Sequence, residues 1–420
     1  MTNSVATMDV HRGLMRITQR AAVAVSAMPW WVQALLIWLA SRVWAWVIFS
    51  VVDRQAPDGP WGASPLGYFA FVSIWDGQWY EQVHDAGYPT QLPRSESGVV
   101  EPNAWAFYPV FPLVVRGITA VTGLPWTIAA PTLALVAGFV ASVVVLRLFR
   151  EFLPDAAALW ALAVVAFGPA SPIFQTAYAE SLHVAMLAGV LLLVLRGRVL
   201  WSVGLILLMC LTRPAGVPFA AALGLTWFIR AVRSLRTTHR AGGVTVRDCV
   251  RVFDAWFWLA LWSCACALLW PLLAWVATGE MSAYTQTETA WRGTSLVVFE
   301  PWFLLGRTFF GPGWGVLALL VLVGGAVLIM TTRTVRQTLP GVVWMWVICY
   351  GVYLLAFLHP QSSTFRMLIP LFVMAAPAVV MSEDRAYRIT LVLVGAVFQI
   401  VFVGYLWQWS PLPSGGDWPP

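Results

Sequence analysis

The sequence predicts an all-α, polytopic membrane helical bundle of about eleven transmembrane helices, with a long first extracytoplasmic loop carrying short interfacial helices. Three observations predict it. Of 420 residues, 60% are hydrophobic and only 10% are charged, and the mean hydropathy is +0.76, a balance no soluble domain has. The apolar residues gather into runs long enough to cross a bilayer. The basic residues, 25 arginines and no lysine, lie mostly between those runs. The net charge of +6 is therefore a matter of topology, and no nucleic-acid partner is expected.

Residues 1–29 are expected in the cytoplasm. Arg12, Arg16 and Arg20 precede an apolar run with no clear cleavage site after it, which reads as a retained signal anchor. The transmembrane domain then occupies 30–407. Its first span runs near Trp31–Val52 and carries Arg42 at mid-depth. A cation there is costly in lipid and is expected to face inward in a paired role. The alternative is that Arg42 packs against backbone carbonyls and only holds helices together.

The first extracytoplasmic loop spans 53–126. Within it, SIWDGQWYEQVHDAGYP (Ser73–Pro89) reads as a short helix with written ends. Ser73 suits the N-cap, Asp76 follows at capping-box spacing, and Gly87 and Pro89 supply the stop. On that helix Asp76, Tyr80 and Val83 share one face and Trp75 and Trp79 the adjacent one. One carboxylate thus stands beside a wall of aromatic rings. Asp76 also suits a plain capping role, and the two roles are compatible. A mobile strip is expected around Pro93–Pro102. Ala104–Gly117 is apolar but short and holds Pro109, Pro112 and Arg116, so an interfacial or re-entrant helix is expected.

Further spans are expected near Trp126–Phe149, Ala156–Ala170, Ala177–Leu195, Val199–Leu211, Ala215–Ile229, Trp256–Ala277, Trp314–Met330, Gly341–Leu358, Phe365–Met381 and Thr390–Trp407. A basic cytoplasmic loop covers 230–255, a second large extracytoplasmic loop 278–313, and an extracytoplasmic tail 408–420. With the N-terminus inside, 17 of the 25 arginines face the cytoplasm, seven face out, and Arg42 lies within a span.

This topology gathers polar residues at span ends on the outer face: Asp76, Glu81, Tyr178, Glu180, Thr212-Arg213-Pro214, Glu280, Glu288, Arg292, His359, Gln361 and Arg366. That is the layout of a reaction site at the outer leaflet, reached by a lipid from the side. Each residue also has a structural explanation. Arg213 suits a snorkelling helix-end arginine, Glu180 an interhelical hydrogen-bond partner, and Arg366 a cap. No Walker loop, GxGxxG or HExxH occurs. The five cysteines, Cys210, Cys249, Cys264, Cys266 and Cys349, suggest neither a disulfide nor a metal site. The 26 tryptophans suit interfacial belts and sugar-facing walls equally.

WDGQWY (Trp75–Tyr80) with GYP (Gly87–Pro89), followed by AFYPVFP (Ala106–Pro112), resembles the first outer-loop signature of PIG-V-type mannosyltransferases. SPIFQTAYAESLH (Ser171–His183) is similar to that family's second block and LTRPAGVP (Leu211–Pro218) to its third. GEMSAYTQTETAWRG (Gly279–Gly293) resembles a later outer-loop block of bacterial members, and SSTFRMLIPLF (Ser362–Phe372) the C-terminal one. Ser41-Arg42 fits the family's first span. The blocks occur in order over most of the chain. His84, where a small apolar residue is expected, and the stretch between Tyr88 and Ala104 depart from the pattern.

The resemblance implies a GT-C-like fold and the GT-C activity: transfer of mannose from a polyprenyl-phosphate-mannose donor on the extracytoplasmic face of the bacterial plasma membrane. The acceptor is a hydroxyl of a glycolipid, lipoglycan or protein, and inversion is implied by analogy. Such chemistry needs a cation on the leaving phosphate and a base on the acceptor hydroxyl. Asp76 is the expected catalytic base. Arg213, Arg292 and Arg366 are candidates for the phosphate, and Trp75, Trp79 and Tyr80 for the sugar. Arg42, Tyr178, Glu180 and His359 complete the expected donor-binding set. No metal and no cofactor beyond the lipid-linked sugar is expected. Two other classes stay open: a transporter or flippase of lipid-linked sugars, though no internal repeat is visible, and a non-catalytic partner subunit, against which Asp76 argues.

Overall fold

In a computed structural model that describes residues 28–240, 243, 245–292 and 297–410, the chain is helical, with no strand among the described residues. The expected anchor segment with Arg12, Arg16 and Arg20, residues 241, 242 and 244 of the basic loop, 293–296 of the second large loop, and 411–420 of the expected tail lie outside the described residues.

Helix α1 covers Trp30–Gln55, α2 Asp76–Ala86, α3 Val110–Thr122, α4 Trp126–Phe149 and α5 Asp155–Ala166. Then come α6 at Glu180–Leu195, α7 at Val199–Cys210, α8 at Gly216–Arg240 and α9 at Ala255–Thr278. The C-terminal part holds α10 at Ala283–Arg292, α11 at Glu300–Phe310, α12 at Pro312–Thr331, α13 at Gly341–Phe357 and α14 at Arg385–Val401. Among the described residues, five helices are long and apolar enough to cross a membrane: Trp30–Gln55, Trp126–Phe149, Ala255–Thr278, Gly313–Thr331 and Arg385–Trp407. They expose many large apolar side chains, among them Trp46, Val136, Leu268, Leu320 and Val397, as a lipid-facing surface does. Shorter apolar helices fill the bundle between them.

Three expected elements come out differently, each for a local reason. Helix α8 runs on to Arg240 instead of ending near Ile229. Ile229, Val232 and Leu235 keep a helical stripe going, so the arginines end the apolar run and not the helix. The run Phe365–Met381 is not one span. It breaks into a turn of helix at Thr364–Met367, a 3-10 stretch at Ile369–Met374 and a short helix at Ala375–Val380. Pro370 and Pro377 have no N–H to continue a ladder. Two side chains of α13 satisfy the carbonyls set free: Trp346 Nε1 donates to Pro370 O at 3.0 Å and Tyr350 Oη to Met367 O at 2.8 Å. Broken helix is tolerated where protein groups complete its hydrogen bonds. The strip at Pro93–Pro102 is tied down. Glu101 N donates to Pro93 O at 2.9 Å, and Arg94 pairs with Glu280 at 2.5 Å.

Segment 53–126 is docked onto the bundle. Tyr80 and Val83 of α2, and Phe111 and Val115 of α3, bury themselves against Trp126, Ala129, Ala130 and Ala134 at the start of α4. Helix α3 has 13 residues and starts at Val110, within the Ala104–Gly117 stretch expected to be interfacial or re-entrant. The remainder of α4 packs chiefly against α6, and α8 against α9 and α13. At the α1–α4 crossing Gly138 lies under the Trp38 ring, where a Cβ would overlap ring carbons. Gly224, inside α8, has open space beside it. Gly138→Ala should therefore lower stability by about 1–3 kcal/mol, while Gly224→Ala should be neutral or stabilising. Thermal unfolding in detergent micelles measures both, and equal midpoints for the two variants would contradict the close crossing.

Candidate functional site

Asp76 is the first residue of α2, not the third. The expected Ser73 cap does not form, because Ser73 Oγ donates to Phe69 O at 2.8 Å. The turn into α2 is made instead by Trp75, whose φ of 61° is left-handed. A bulky residue in that region costs on the order of 1–3 kcal/mol and persists only where its surroundings hold it. Here they do. The Trp75 indole donates to Trp407 O at 2.7 Å, and its ring stands edge-on to Trp61 with centroids 4.7 Å apart. Asp76 N–H in turn donates to Tyr178 Oη at 3.1 Å.

With the backbone held this way, Asp76 joins an alternating chain of charges. Its Oδ2 lies 2.5 Å from Arg366 Nη1. The same Nη1 lies 3.7 Å from Glu180 Oε1. That Glu180 oxygen accepts from Arg213 Nη1 at 2.5 Å. Glu180 opens α6, Arg213 follows α7 in the turn of LTRPAG, and Arg366 sits in the broken segment after α13. Glu180 is 2% exposed and Arg366 7%. The Arg366 guanidinium also lies 5.1 Å from the Tyr178 ring centroid. Burial pulls the Arg366 pKa down, but Asp76, Tyr178 and Glu180 more than offset this and hold it above its ordinary value. Arg213 shows the same balance, with Glu180 as the main opposing charge.

The chain forms one wall of a cavity of about 220 Å³. Asp76 and Tyr80 of α2, Arg213 and Arg366 line it. Glu288 and Arg292, an i,i+4 pair on α10 at 3.4 Å, line it as well, together with His359. Burial raises the Glu288 pKa, partly countered by Arg292 and Tyr284. Donor capacity is unspent at this wall. Arg366 Nε has no acceptor, and Arg213 Nη2 faces only Met367 Sδ at 3.0 Å, a weak one. Among the described residues, no three His, Cys, Asp or Glu side chains group to hold a metal ion.

Of the residues singled out in the sequence, Asp76, Tyr80, Arg213, Arg292, His359 and Arg366 therefore meet in one cavity, and the outer-face residues Thr212, Pro214, Glu288 and Gln361 line it with them. The others stand off it. Arg42 is buried behind, where Nη1 donates to Ser171 O at 2.6 Å and Nη2 to Ala166 O at 3.0 Å, so it caps the end of α5 and holds helices together. Trp75 is spent on the turn. Trp79 stacks on Phe107 at 5.8 Å and meets Trp291 edge-on at 4.9 Å, and it is these two partners that reach the cavity. Tyr178 and Glu180 act through the arginines they touch.

His183, Tyr350 and Tyr353 line the cavity without having been singled out. On α13 the signal was present but faint. Tyr350, Tyr353 and Phe357 recur at i, i+3 and i+7, yet the whole span is apolar and the stripe has no contrast. His183 sits in the quoted block at Ser171–His183, with nothing in its spacing to set it apart.

Removing the charge of Glu180 would leave Arg213 without its partner in the protein interior. Glu180→Gln should destabilise by about 3–5 kcal/mol. Glu280→Gln, which breaks the exposed pair with Arg94, should cost no more than about 1 kcal/mol. Equal shifts in unfolding midpoint would show that the buried chain does not hold the site together.

In comparisons with known proteins, no family model matches the chain and no curated protein matches it.

Proposed function

We propose that the chain is a GT-C-like integral-membrane glycosyltransferase of about eleven spans, akin to the PIG-V-type mannosyltransferases. It would transfer mannose from a polyprenyl-phosphate-mannose donor to a hydroxyl of a glycolipid, lipoglycan or protein acceptor. The site would face the extracytoplasmic side of a bacterial plasma membrane, as the arginine tally favours. One observation carries the reading: a carboxylate and three arginines, from stretches as distant as 76 and 366, open on one cavity. That set supplies what a phosphate-activated sugar requires.

In the proposed step the acceptor oxygen attacks C1 of the sugar as its proton passes to Asp76. The C1–O bond to phosphate breaks, and the polyprenyl phosphate leaves with the electron pair. One displacement with one base inverts C1. Tyr80 offers a ring face to the sugar. The free Arg366 Nε and the under-used Arg213 Nη2 suit a phosphate, which accepts hydrogen bonds and offers none. A lipid-borne donor is supported by a second feature. The segment that carries Arg366 presents Phe365, Leu368 and Phe372 to an open apolar groove of about 340 Å³, with Val164 and Phe174 opposite. A prenyl chain fits such a surface. Membrane lipids are the remaining partners.

Asp76→Asn keeps the shape of the side chain and removes the base. With purified protein, the mannosyl donor and a glycolipid acceptor, turnover should fall roughly a hundredfold or more while donor binding persists. A transporter or a docking subunit needs no base. Turnover within a few-fold of wild type would move the base elsewhere, to Glu288 in the first instance.

A further inference from the structure

We propose that His183 is a sugar-hydroxyl subsite of the cavity, a specificity-determining contact that reads the transferred sugar and not its phosphate; this rests on the glycosyltransferase reading. His183 lies one turn into α6 after Glu180 and is 1% exposed. It lines the cavity together with Thr212, Tyr350 and Pro370. Neither Nδ1 nor Nε2 has a hydrogen-bond partner. Its polar neighbours on that wall are already committed. Thr212 Oγ1 donates to Leu208 O at 2.6 Å, and Tyr350 Oη to Met367 O at 2.8 Å.

A buried polar atom left unsatisfied costs stability, and an apolar side chain of similar shape removes the cost. An imidazole with both nitrogens unpaired is thus a poor choice for packing alone. A neutral imidazole offers one donor and one acceptor. A phosphodiester offers only acceptors and can satisfy one nitrogen at most. A hydroxyl group donates and accepts, so a sugar hydroxyl can answer the nitrogen that faces it whether or not that nitrogen carries the proton. The division of labour across the cavity follows. The unspent donors of Arg213 and Arg366 suit the phosphate, while His183 suits the neutral, polyhydroxylated part of the ligand. A site built to pair with a hydroxyl discriminates sharply against an analogue lacking it, because the protein groups are again left unpaired.

The test uses purified full-length protein and three probes: a short polyprenyl phosphate without sugar, the same lipid bearing mannose, and a monodeoxy series of the mannosyl lipid. His183→Leu should raise the unfolding midpoint without ligand. It should bind the bare polyprenyl phosphate as wild type does and the mannosyl lipid roughly tenfold more weakly. One deoxy position should penalise wild type and leave His183→Leu unaffected. His183→Gln, which keeps a donor and an acceptor, should recover part of the loss. Equal weakening toward both lipids, or identical deoxy penalties in wild type and variant, would overturn the subsite and leave His183 a water-bound packing residue. Wild type that binds the bare lipid but gains nothing from mannose overturns the subsite alone. Wild type that binds neither lipid overturns the glycosyltransferase reading with it.

Discussion

The site depends on one constraint: four charges of alternating sign, Glu180 and Arg366 buried and Asp76 and Arg213 largely so, must be satisfied together. Asp76, Arg366, Glu180 and Arg213 come from four separate stretches, yet each lies within ion-pair distance of the next. None has water enough to stand alone, so no stretch can shift without leaving a neighbour unpaired. Such a chain contributes little net stability compared with well-packed apolar residues. Its effect is to set where α2, the start of α6, the turn after α7 and the broken segment after α13 sit relative to one another.

Irregular backbone surrounds that chain, and its cost is met by side-chain donors. Indole N–H groups do much of this. Trp346 serves Pro370 O, Trp407 serves Phe71 O, Trp75 serves Trp407 O, and Trp270 serves Trp105 O. Arg42 does the same for Ser171 O and Ala166 O. These groups keep broken and 3-10 segments in place by completing backbone hydrogen bonds that no regular ladder supplies. The left-handed turn at Trp75 then becomes affordable, and it aims the carboxylate of Asp76 into the cavity. Tryptophan is abundant here in part because a large apolar ring with one donor suits that task.

Much of this was legible in the sequence, and the gaps have physical causes. Helix positions followed from apolar runs, since length and hydropathy are local properties; the helix at Trp126–Phe149 matches to the residue. The cavity members Asp76, Arg213, Arg292, His359 and Arg366 stood out because a charge or an imidazole at a span end is conspicuous in an apolar chain. The partners of those charges were not legible. Pairing is a tertiary fact, and no spacing ties Asp76 to Arg366 or Glu180 to Arg213. The Ser73 cap failed because Trp75 is held from outside the helix, by Trp407 and Trp61, and local capping grammar cannot see such contacts. Arg42 reads from the sequence as part of the donor-binding set, but its contacts describe its alternative role, bonding backbone carbonyls. His183 does not stand out in the sequence, because what sets it apart, two ring nitrogens without a partner, is a tertiary fact.

The central claim is that one cavity holds both the sugar phosphate and the base. A structure of the protein in lipid nanodiscs with a non-hydrolysable polyprenyl-phosphonate mannose tests it most directly. The account predicts the phosphorus group within hydrogen-bonding reach of Arg213, Arg292 or Arg366, and the mannose C1 on the side of Asp76. Ligand density seated away from this cavity, with the Asp76–Arg366 pair undisturbed, would contradict it.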